Sequence, residues 1–247
     1  MPRSRPDPIY IYPRENVSTS HELAAVIFMH GLGDDGESFR DVAAQFKQAG
    51  KLESLIWVLP TAPENRDAMT TAWYGQTKLT VRPAPRPELE DDEDEDGILQ
   101  SVVYICNIVD DLVSKGVAMN RIFLAGFSQG CAMSLIIGLT SKYAGRFAGV
   151  VGLMGYLPLQ TRISALRTEY ARDADVSAQP VFIGRGTRDQ LIPSRYFQIC
   201  REKLEELNVK DMTFTEYPIG HSISGPVLHD MCVFMERTLG IAERKAE

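Results

Sequence analysis

The chain lacks the features of a membrane-spanning, secreted or disulfide-stabilised protein. No apolar run in its 247 residues approaches the roughly 18 residues that a membrane span needs. The stretch from Met1 to Pro8 contains no apolar segment of the signal-peptide kind, so we expect no signal peptide. The four cysteines show no C-x-x-C spacing, which predicts free buried thiols in a reducing compartment rather than a disulfide or zinc framework.

Basic residues form no stripe along the chain, so nucleic acid is not an expected partner. The formal net charge of −7 is concentrated in the segment from Glu88 to Asp96, which holds eight carboxylates in nine residues. Such a run is either a docking or metal-binding loop or a solvated insertion whose last carboxylates favour the N-terminus of the next helix. We favour the insertion, because the carboxylates are contiguous rather than alternated on one face.

Apolar runs alternate with helical patterns along the chain, which is typical of an α/β protein with a mostly parallel central sheet and helices on both faces. We expect a single domain over residues 1–247, with a proline-rich acidic insertion at about 76–97. The predicted strands are Ile9–Tyr12, Ala24–Met29, Leu55–Leu59, Arg121–Ala125, Phe147–Met154, Val181–Gly184 and Met212–Tyr217. The predicted helices are Glu37–Ala49, Gly97–Lys115, a helix after Ser128, Ser194–Leu207 and Ser224–Leu239.

Gly126-Phe127-Ser128-Gln129-Gly130 lies between a predicted strand and a predicted helix. This is the G-x-S-x-G pattern of the nucleophile elbow, a sharp turn that lifts a serine above the sheet edge in the α/β-hydrolase fold. The flanking glycines are needed because backbone approaches backbone there. A glycine-rich turn without catalytic function is the alternative, so the rest of the chain must supply partners for Ser128.

A serine hydroxyl needs an adjacent base, and in this fold the chain order is Ser, then Asp or Glu, then His. Of the four histidines, only His221 and His229 follow Ser128, and His229 falls inside a predicted helix. His221 lies on a loop directly after a strand and is the predicted base. Asp189 follows a strand and a glycine turn, so we predict that it orients His221; a turn-capping aspartate is the alternative.

An oxyanion hole needs two N–H donors. The fold supplies one from the residue after the nucleophile, here Gln129. The glycine-rich loop from Met29 to Asp34 follows an early strand, and we predict that its Leu32 N–H is the second donor. His30 in the same loop is then expected to be structural rather than a second base.

These residues and several further motifs resemble the acyl-protein thioesterase, lysophospholipase and carboxylesterase family of small α/β-hydrolases. The resemblance implies hydrolysis of thioesters or carboxylic esters in the cytosol without a cofactor or metal, and places the triad and oxyanion donors at the five positions chosen above. The substrate-binding residues it implies are Trp73, Tyr74, Leu79, Leu157 and Ile192. The motifs are Met29–Asp34, Leu59–Pro63, Trp73-Tyr74, Gly126–Gly130, Leu157–Leu159, Gly186–Pro193 and Gly220–Ser222.

The chain departs from the family pattern at two places. Cys131 stands where members usually carry a second glycine after the elbow. The segment from Gly75 to Val81 is polar where the family has an aspartate followed by an apolar loop of the acyl channel. Because each buried CH₂ contributes about 0.8 kcal/mol, a polar channel wall favours short acyl groups over long ones.

The sequence leaves three functions open. The first is a serine hydrolase for esters or thioesters of small molecules or proteins, with at most peripheral membrane contact. The second keeps the fold but acts on lysophospholipids, lactones or peptide bonds. The third is a non-catalytic binding module that uses the acidic run for docking. A monomer and a homodimer are both compatible with the sequence.

Overall fold

One seven-stranded sheet organises the chain in the computed structural model, which describes residues 5–13, 23–65, 68–75 and 93–241. The strands of this part of the chain are β1 (Ile9–Ile11), β2 (Ala24–Met29), β3 (Leu55–Leu59), β4 (Glu64–Asn65), β5 (Thr70–Thr71), β6 (Ile122–Phe127), β7 (Gly149–Leu153), β8 (Val181–Gly186) and β9 (Met212–Tyr217). The large sheet has the order β1-β3-β2-β6-β7-β8-β9, and β4 pairs with β5 in a separate hairpin.

All neighbours in the large sheet are parallel except β1, which runs antiparallel to β3 at the edge. The central strands are continuous apolar runs; every residue of β2 is at most 1% exposed. That pattern is typical of parallel strands covered on both faces. Met29 pairs with Gly126, and Phe127 pairs with Leu153, so β2, β6 and β7 end at one edge of the sheet. Loops that leave these ends converge above the sheet.

Helices cover both faces. They are α1 (Arg40–Gln48), α2 (Glu95–Ser114), α3 (Gln129–Thr140), α4 (Ile163–Tyr170), α5 (Ser194–Glu206) and α6 (Gly225–Thr238). The buried side chains of α1 and α6 share one hydrophobic cluster, and those of α2, α3, α4 and α5 share another. The fold is therefore the predicted α/β arrangement, with a mostly parallel sheet between two helical layers.

Helix α2 is long and apolar enough, by length and composition alone, to cross a membrane. Its apolar residues Ile98, Ile105, Val109 and Leu112 are at most 1% exposed and belong to the core. In this fold α2 is a core helix, and a helix of this kind passes the same compositional test as a membrane span.

The structure moves several predicted boundaries and adds elements. Helix α2 begins at Glu95, two residues before the predicted start at Gly97, so the insertion ends earlier than expected; its residues 76–92 lie outside the described part of the chain. Strand β6 continues to Phe127, and β8 to Gly186. Helix α4 and the β4–β5 hairpin were not predicted, because each offers too few apolar positions for a clear period.

Candidate active site

Ser128 lies on a sharp turn between β6 and α3. Its backbone has φ of 55° and ψ of −115°, a strained conformation for a residue with a side chain. A Cβ at Gly126 would lie 2.2 Å from the Gly130 carbonyl, and a Cβ at Gly130 would lie 2.0 Å from the Met29 carbonyl oxygen. The Ser128 N–H donates to the Leu153 carbonyl at 2.9 Å, which helps to hold the turn. Both glycines are therefore required by close backbone approach.

The structure brings the three predicted triad residues into one hydrogen-bonded line. The Ser128 Oγ lies 2.9 Å from Nε2 of His221. The Nδ1 of the same ring lies 2.7 Å from Oδ2 of Asp189. With the ring proton on Nδ1, the imidazole donates to Asp189 and accepts from the Ser128 hydroxyl, which is the tautomer that a general base requires. His221 keeps 15% of its side chain exposed, so it is reachable from solvent.

Asp189 is held by its own loop as well as by His221. Its side chain is 3% exposed. The other carboxylate oxygen, Oδ1, accepts from the Leu191 N–H at 2.8 Å and the Ile192 N–H at 3.0 Å. The Asp189 carboxylate thus caps the turn through Oδ1 and contacts the imidazole through Oδ2. The turn-capping and His221-orienting interpretations of Asp189 are therefore compatible, because each uses a different oxygen. Three donors on one carboxylate therefore hold the Asp189 side chain in one orientation.

The loop after β2 passes directly beside the elbow. A Cβ at Gly31 would lie 3.3 Å from the Ser128 Cβ, so only a very small residue fits there. No residue that the structure describes accepts a hydrogen bond from the backbone N–H of Leu32 or of Gln129. Gln129 is the first residue of α3, where N–H groups lack helical acceptors and the helix dipole favours negative charge. Both groups have the environment expected of oxyanion donors.

His30 is fully buried and uses both ring nitrogens within the protein. Its Nε2 accepts from the Ala62 N–H at 2.9 Å, and its Nδ1 lies 2.6 Å from the Gly31 carbonyl oxygen. The ring packs on Trp73 with centroids 5.0 Å apart, and the Trp73 indole donates to the His30 carbonyl at 2.9 Å. These contacts give His30 a structural role in the loop, as expected from the sequence.

Stability is expected to fall as the pH is lowered through the unfolded-state histidine value of about 6.5. Burial lowers the pKa of His30 in the folded protein, and the Nε2 that accepts from Ala62 would have to carry the extra proton. The unfolded chain therefore binds a proton that the native state does not bind. The free energy of unfolding keeps its full value above that pH and decreases as the pH falls below it. Melting temperatures from pH 8 to pH 5 measure the effect.

His30→Gln is expected to reduce this pH dependence, because it removes the titrating group. His229→Gln is the matched control, since the His229 side chain is 74% exposed. Equal pH slopes for the wild type and His30→Gln would contradict the assignment.

Cys131 is accommodated by two glycines on the neighbouring segment. Its side chain is 1% exposed. A Cβ at Gly152 would lie 2.7 Å from the Cys131 Sγ, and a Cβ at Gly155 would lie 2.4 Å from the Cys131 Cβ. The absence of side chains at these two glycines thus leaves the space that the Cys131 side chain occupies. Burial raises the pKa of the Cys131 thiol, and the four cysteines are free and buried, as predicted.

The five predicted substrate-binding residues differ in how far the structure buries them. Trp73, Tyr74 and Leu157 are at most 2% exposed and pack in the core, so they offer almost no free surface. Ile192 is half-buried, and its backbone supports Asp189. Leu79 lies outside the described residues. Contact of these residues with substrate stays a prediction.

The Gln129 side chain and Phe127 also support the site, although neither was predicted to do so. The Gln129 amide accepts from the Trp73 N–H at 3.1 Å and donates to the Tyr74 carbonyl at 3.3 Å, which attaches the Trp73-Tyr74 segment to the elbow. The Phe127 ring packs against His221 with centroids 4.9 Å apart. Both residues lie within the G-x-S-x-G pattern, but the pattern does not specify what its variable positions contact.

Within residues 5–13, 23–65, 68–75 and 93–241, no three His, Cys, Asp or Glu side chains gather as ligands for a metal ion.

A protein-family model described as phospholipase/carboxylesterase matches residues 16–239. Acyl-protein thioesterase 1 of Emericella nidulans is 32% identical over 222 residues, which cover 87% of this chain and 90% of that protein. Acyl-protein thioesterase 1 of Yarrowia lipolytica is 30% identical over 236 residues, covering 92% of this chain and 98% of that protein.

Solved structures agree on the fold. The Arabidopsis thaliana protein SOBER1 has a TM-score of 0.73 and 24% identity, covering 87% of this chain and 99% of that one. The acyl-protein thioesterase 2 of Zea mays has a TM-score of 0.73 and 21% identity, covering 94% of this chain and 99% of that one.

Proposed function

The chain belongs to the phospholipase/carboxylesterase family of α/β-hydrolases and hydrolyses carboxylic esters or thioesters, and we propose that Ser128, His221 and Asp189 carry out this reaction. The observation that supports the assignment is the continuous line of hydrogen bonds from Ser128 Oγ through both nitrogens of His221 to Asp189. An isolated serine hydroxyl is a poor nucleophile at neutral pH, and this arrangement gives it a base with a fixed tautomer.

In the acylation step, the Ser128 Oγ attacks the carbonyl carbon while its proton passes to Nε2 of His221. Negative charge develops on the carbonyl oxygen, where the backbone N–H groups of Leu32 and Gln129 donate to it. Collapse of the tetrahedral intermediate breaks the bond to the leaving alcohol or thiol, which takes the proton from Nε2. Asp189 stabilises the imidazolium meanwhile.

Deacylation repeats these steps with water. Nε2 of His221 accepts a proton from the attacking water, and a second tetrahedral intermediate forms on the Ser128 ester. Its collapse breaks the bond between the acyl carbon and the Ser128 Oγ, which takes the proton back from Nε2, and releases the carboxylic acid. No proton or electron is left over, because the net reaction consumes one water and yields an acid plus an alcohol or thiol.

We propose a short-chain acyl ester or thioester as the substrate, on a small molecule or a protein. The related proteins are named as acyl-protein thioesterases, which makes a protein thioester one candidate class. The polar sequence after Tyr74 supports the short chain, since a polar wall gains little from burying methylenes. The four buried free thiols support a reducing, cytoplasmic setting.

A series of p-nitrophenyl esters tests the chain length. Each methylene that the site buries should raise kcat/KM about fourfold, because about 0.8 kcal/mol is gained per CH₂. We expect kcat/KM to rise from acetate to butyrate and then to level off, so that palmitate exceeds butyrate by less than about fourfold. A rise that continues to palmitate would show a long acyl channel.

The leaving group is tested separately, with an ester and a thioester of the same acyl chain. Activity on a lysophospholipid or a lactone that exceeds both would replace the proposed substrate class while keeping the triad. No turnover of any of them, together with no labelling by a fluorophosphonate probe, would point to a binding module instead.

A further inference from the structure

The acidic run ends on two carboxylates that are bonded into the fold. Asp94 Oδ2 accepts from the Gly75 N–H at 2.6 Å, and Oδ1 accepts from the Gly97 N–H at 2.9 Å. Glu93 Oε2 accepts from the Leu159 N–H at 2.7 Å. Two neighbouring residues therefore bind the backbone of two distant segments, residues 73–75 and residues 157–159. We call Glu93 and Asp94 the acidic clamp.

Both clamped segments border the elbow. The first is attached to it by the Gln129 side chain, which bonds the backbone of Trp73 and Tyr74. The second follows Gly155, where a Cβ would lie 2.6 Å from the Ser128 carbonyl oxygen. The two segments are also joined directly, because the Tyr74 and Tyr156 hydroxyls lie 2.9 Å apart. The acidic clamp thus holds two segments that border the nucleophile, residues 73–75 and residues 157–159, which we call the two walls.

Two glycines make room for the Asp94 carboxylate. A Cβ at Gly97 would lie 2.1 Å from Asp94 Oδ2, and a Cβ at Gly75 would lie 3.1 Å from the same atom. Two glycines thus allow one carboxylate to reach both backbone donors. The next residue, Glu95, forms a two-point ion pair with Arg162 at 2.9 and 3.0 Å, which ties the start of α2 to the chain just beyond Leu159.

We propose that Glu93 and Asp94 are positioning residues that fix the spacing of the two walls and thereby set how the acyl group lies against Ser128. The inference rests on the proposed function. Hydrogen bonds from backbone N–H groups to a carboxylate are about twice as strong as neutral ones. A misplacement of about 1 Å in a reacting group can lower the rate about a hundredfold, so hydrogen bonds that fix the position of the acyl group have a large effect on the rate.

A purely structural role of Asp94 has to be separated from this one, because Asp94 is also the N-cap of α2. Serine is an equally good N-cap residue, but its single, shorter hydroxyl cannot serve the Gly97 and Gly75 donors together. Asp94→Ser therefore keeps the N-cap hydrogen bond with the Gly97 N–H and removes the hydrogen bond with the Gly75 N–H. Asp96→Ser is the matched control, since Asp96 is exposed, lies in the same helical turn and has a side chain that makes no hydrogen bond or ion pair with any residue the structure describes.

The experiment measures kcat and KM for p-nitrophenyl acetate and butyrate, together with the melting temperature. We expect Asp94→Ser and Glu93→Ala to lower the butyrate-to-acetate ratio of kcat/KM about tenfold, mainly through KM for butyrate, because acetate scarcely reaches the walls. Glu93→Gln should restore the ratio, since its amide oxygen can still accept from Leu159. Asp96→Ser should match the wild type.

An unchanged ratio in Asp94→Ser and Glu93→Ala would overturn the proposal, as would an equal loss on both substrates that follows the melting temperature. Labelling by a fluorophosphonate probe at Ser128 is measured in every variant. If the wild type is not labelled, the proposed function fails; if all variants are labelled and the ratio is constant, only the clamp fails.

Discussion

Ser128→Ala is expected to lower kcat for p-nitrophenyl butyrate by about a millionfold, to the level left by binding and the oxyanion donors alone. The substitution removes the only atom that forms the acyl-enzyme. The fold should persist, because the hydroxyl's hydrogen bond is to His221, while the backbone bond to Leu153 that holds the turn remains. Steady-state kinetics and circular dichroism on the same sample measure both effects.

The double variant Ser128→Ala/His221→Ala provides the internal control. Residues that act as one unit have strongly non-additive effects, so the double variant should be no slower than Ser128→Ala alone. Labelling by a fluorophosphonate probe should disappear in both. Appreciable esterase activity in Ser128→Ala would place the nucleophile elsewhere.

Gly130→Ala is expected to destabilise the protein by about 4 kcal/mol or more, which is large for a one-methyl change. Its Cβ would lie 2.0 Å from the Met29 oxygen, 2.5 Å from the Met29 carbonyl carbon and 2.8 Å from the His30 oxygen. All three atoms are backbone at the end of the central strand β2, so no side chain can rotate away. Relief requires α3 or the loop before Leu32 to move.

Gly225→Ala is the matched control for this prediction. A Cβ there meets nothing within 4 Å, and the residue lies at the start of α6. Its effect should stay within about 0.5 kcal/mol. Thermal melting compares the two variants, and equal melting temperatures would contradict the close approach of α3 to β2.

Sequence patterns were informative where one local rule decides the structure. The buried strands β2 and β3 have the predicted bounds, because their apolar runs end at a polar or proline boundary. Strand β9 also has the predicted bounds, although Tyr217 is its only buried residue. Ser128, Asp189 and His221 could be predicted because chain order and position after a strand leave few candidates, and the structure places their side chains within hydrogen-bonding distance. The fold class followed from the alternation of strands and helices, and the family comparison confirms it.

Contacts between distant backbone and side-chain groups could not be found in the same way. Gly97 looks like a helix start or a break, but it is glycine because the Asp94 carboxylate lies where its Cβ would be. The eight-residue helix α4 has only two buried apolar residues, Ile163 and Leu166, which is too few to define a period. The role of Glu93 depends on the Leu159 N–H, 66 positions away, and no spacing rule connects the two.

The hydrogen bond between Gly75 and Asp94 also has a consequence for how this chain can change in length. The two residues are 19 positions apart, yet the Gly75 nitrogen and the Asp94 Oδ2 lie 2.6 Å apart, so the segment between them begins and ends at one point of the fold. For a chain segment whose ends are already joined, each doubling of length costs only about 0.6 kcal/mol in closure entropy. A change in the length of this segment is therefore expected to cost little free energy and to leave the register of the seven-stranded sheet unchanged.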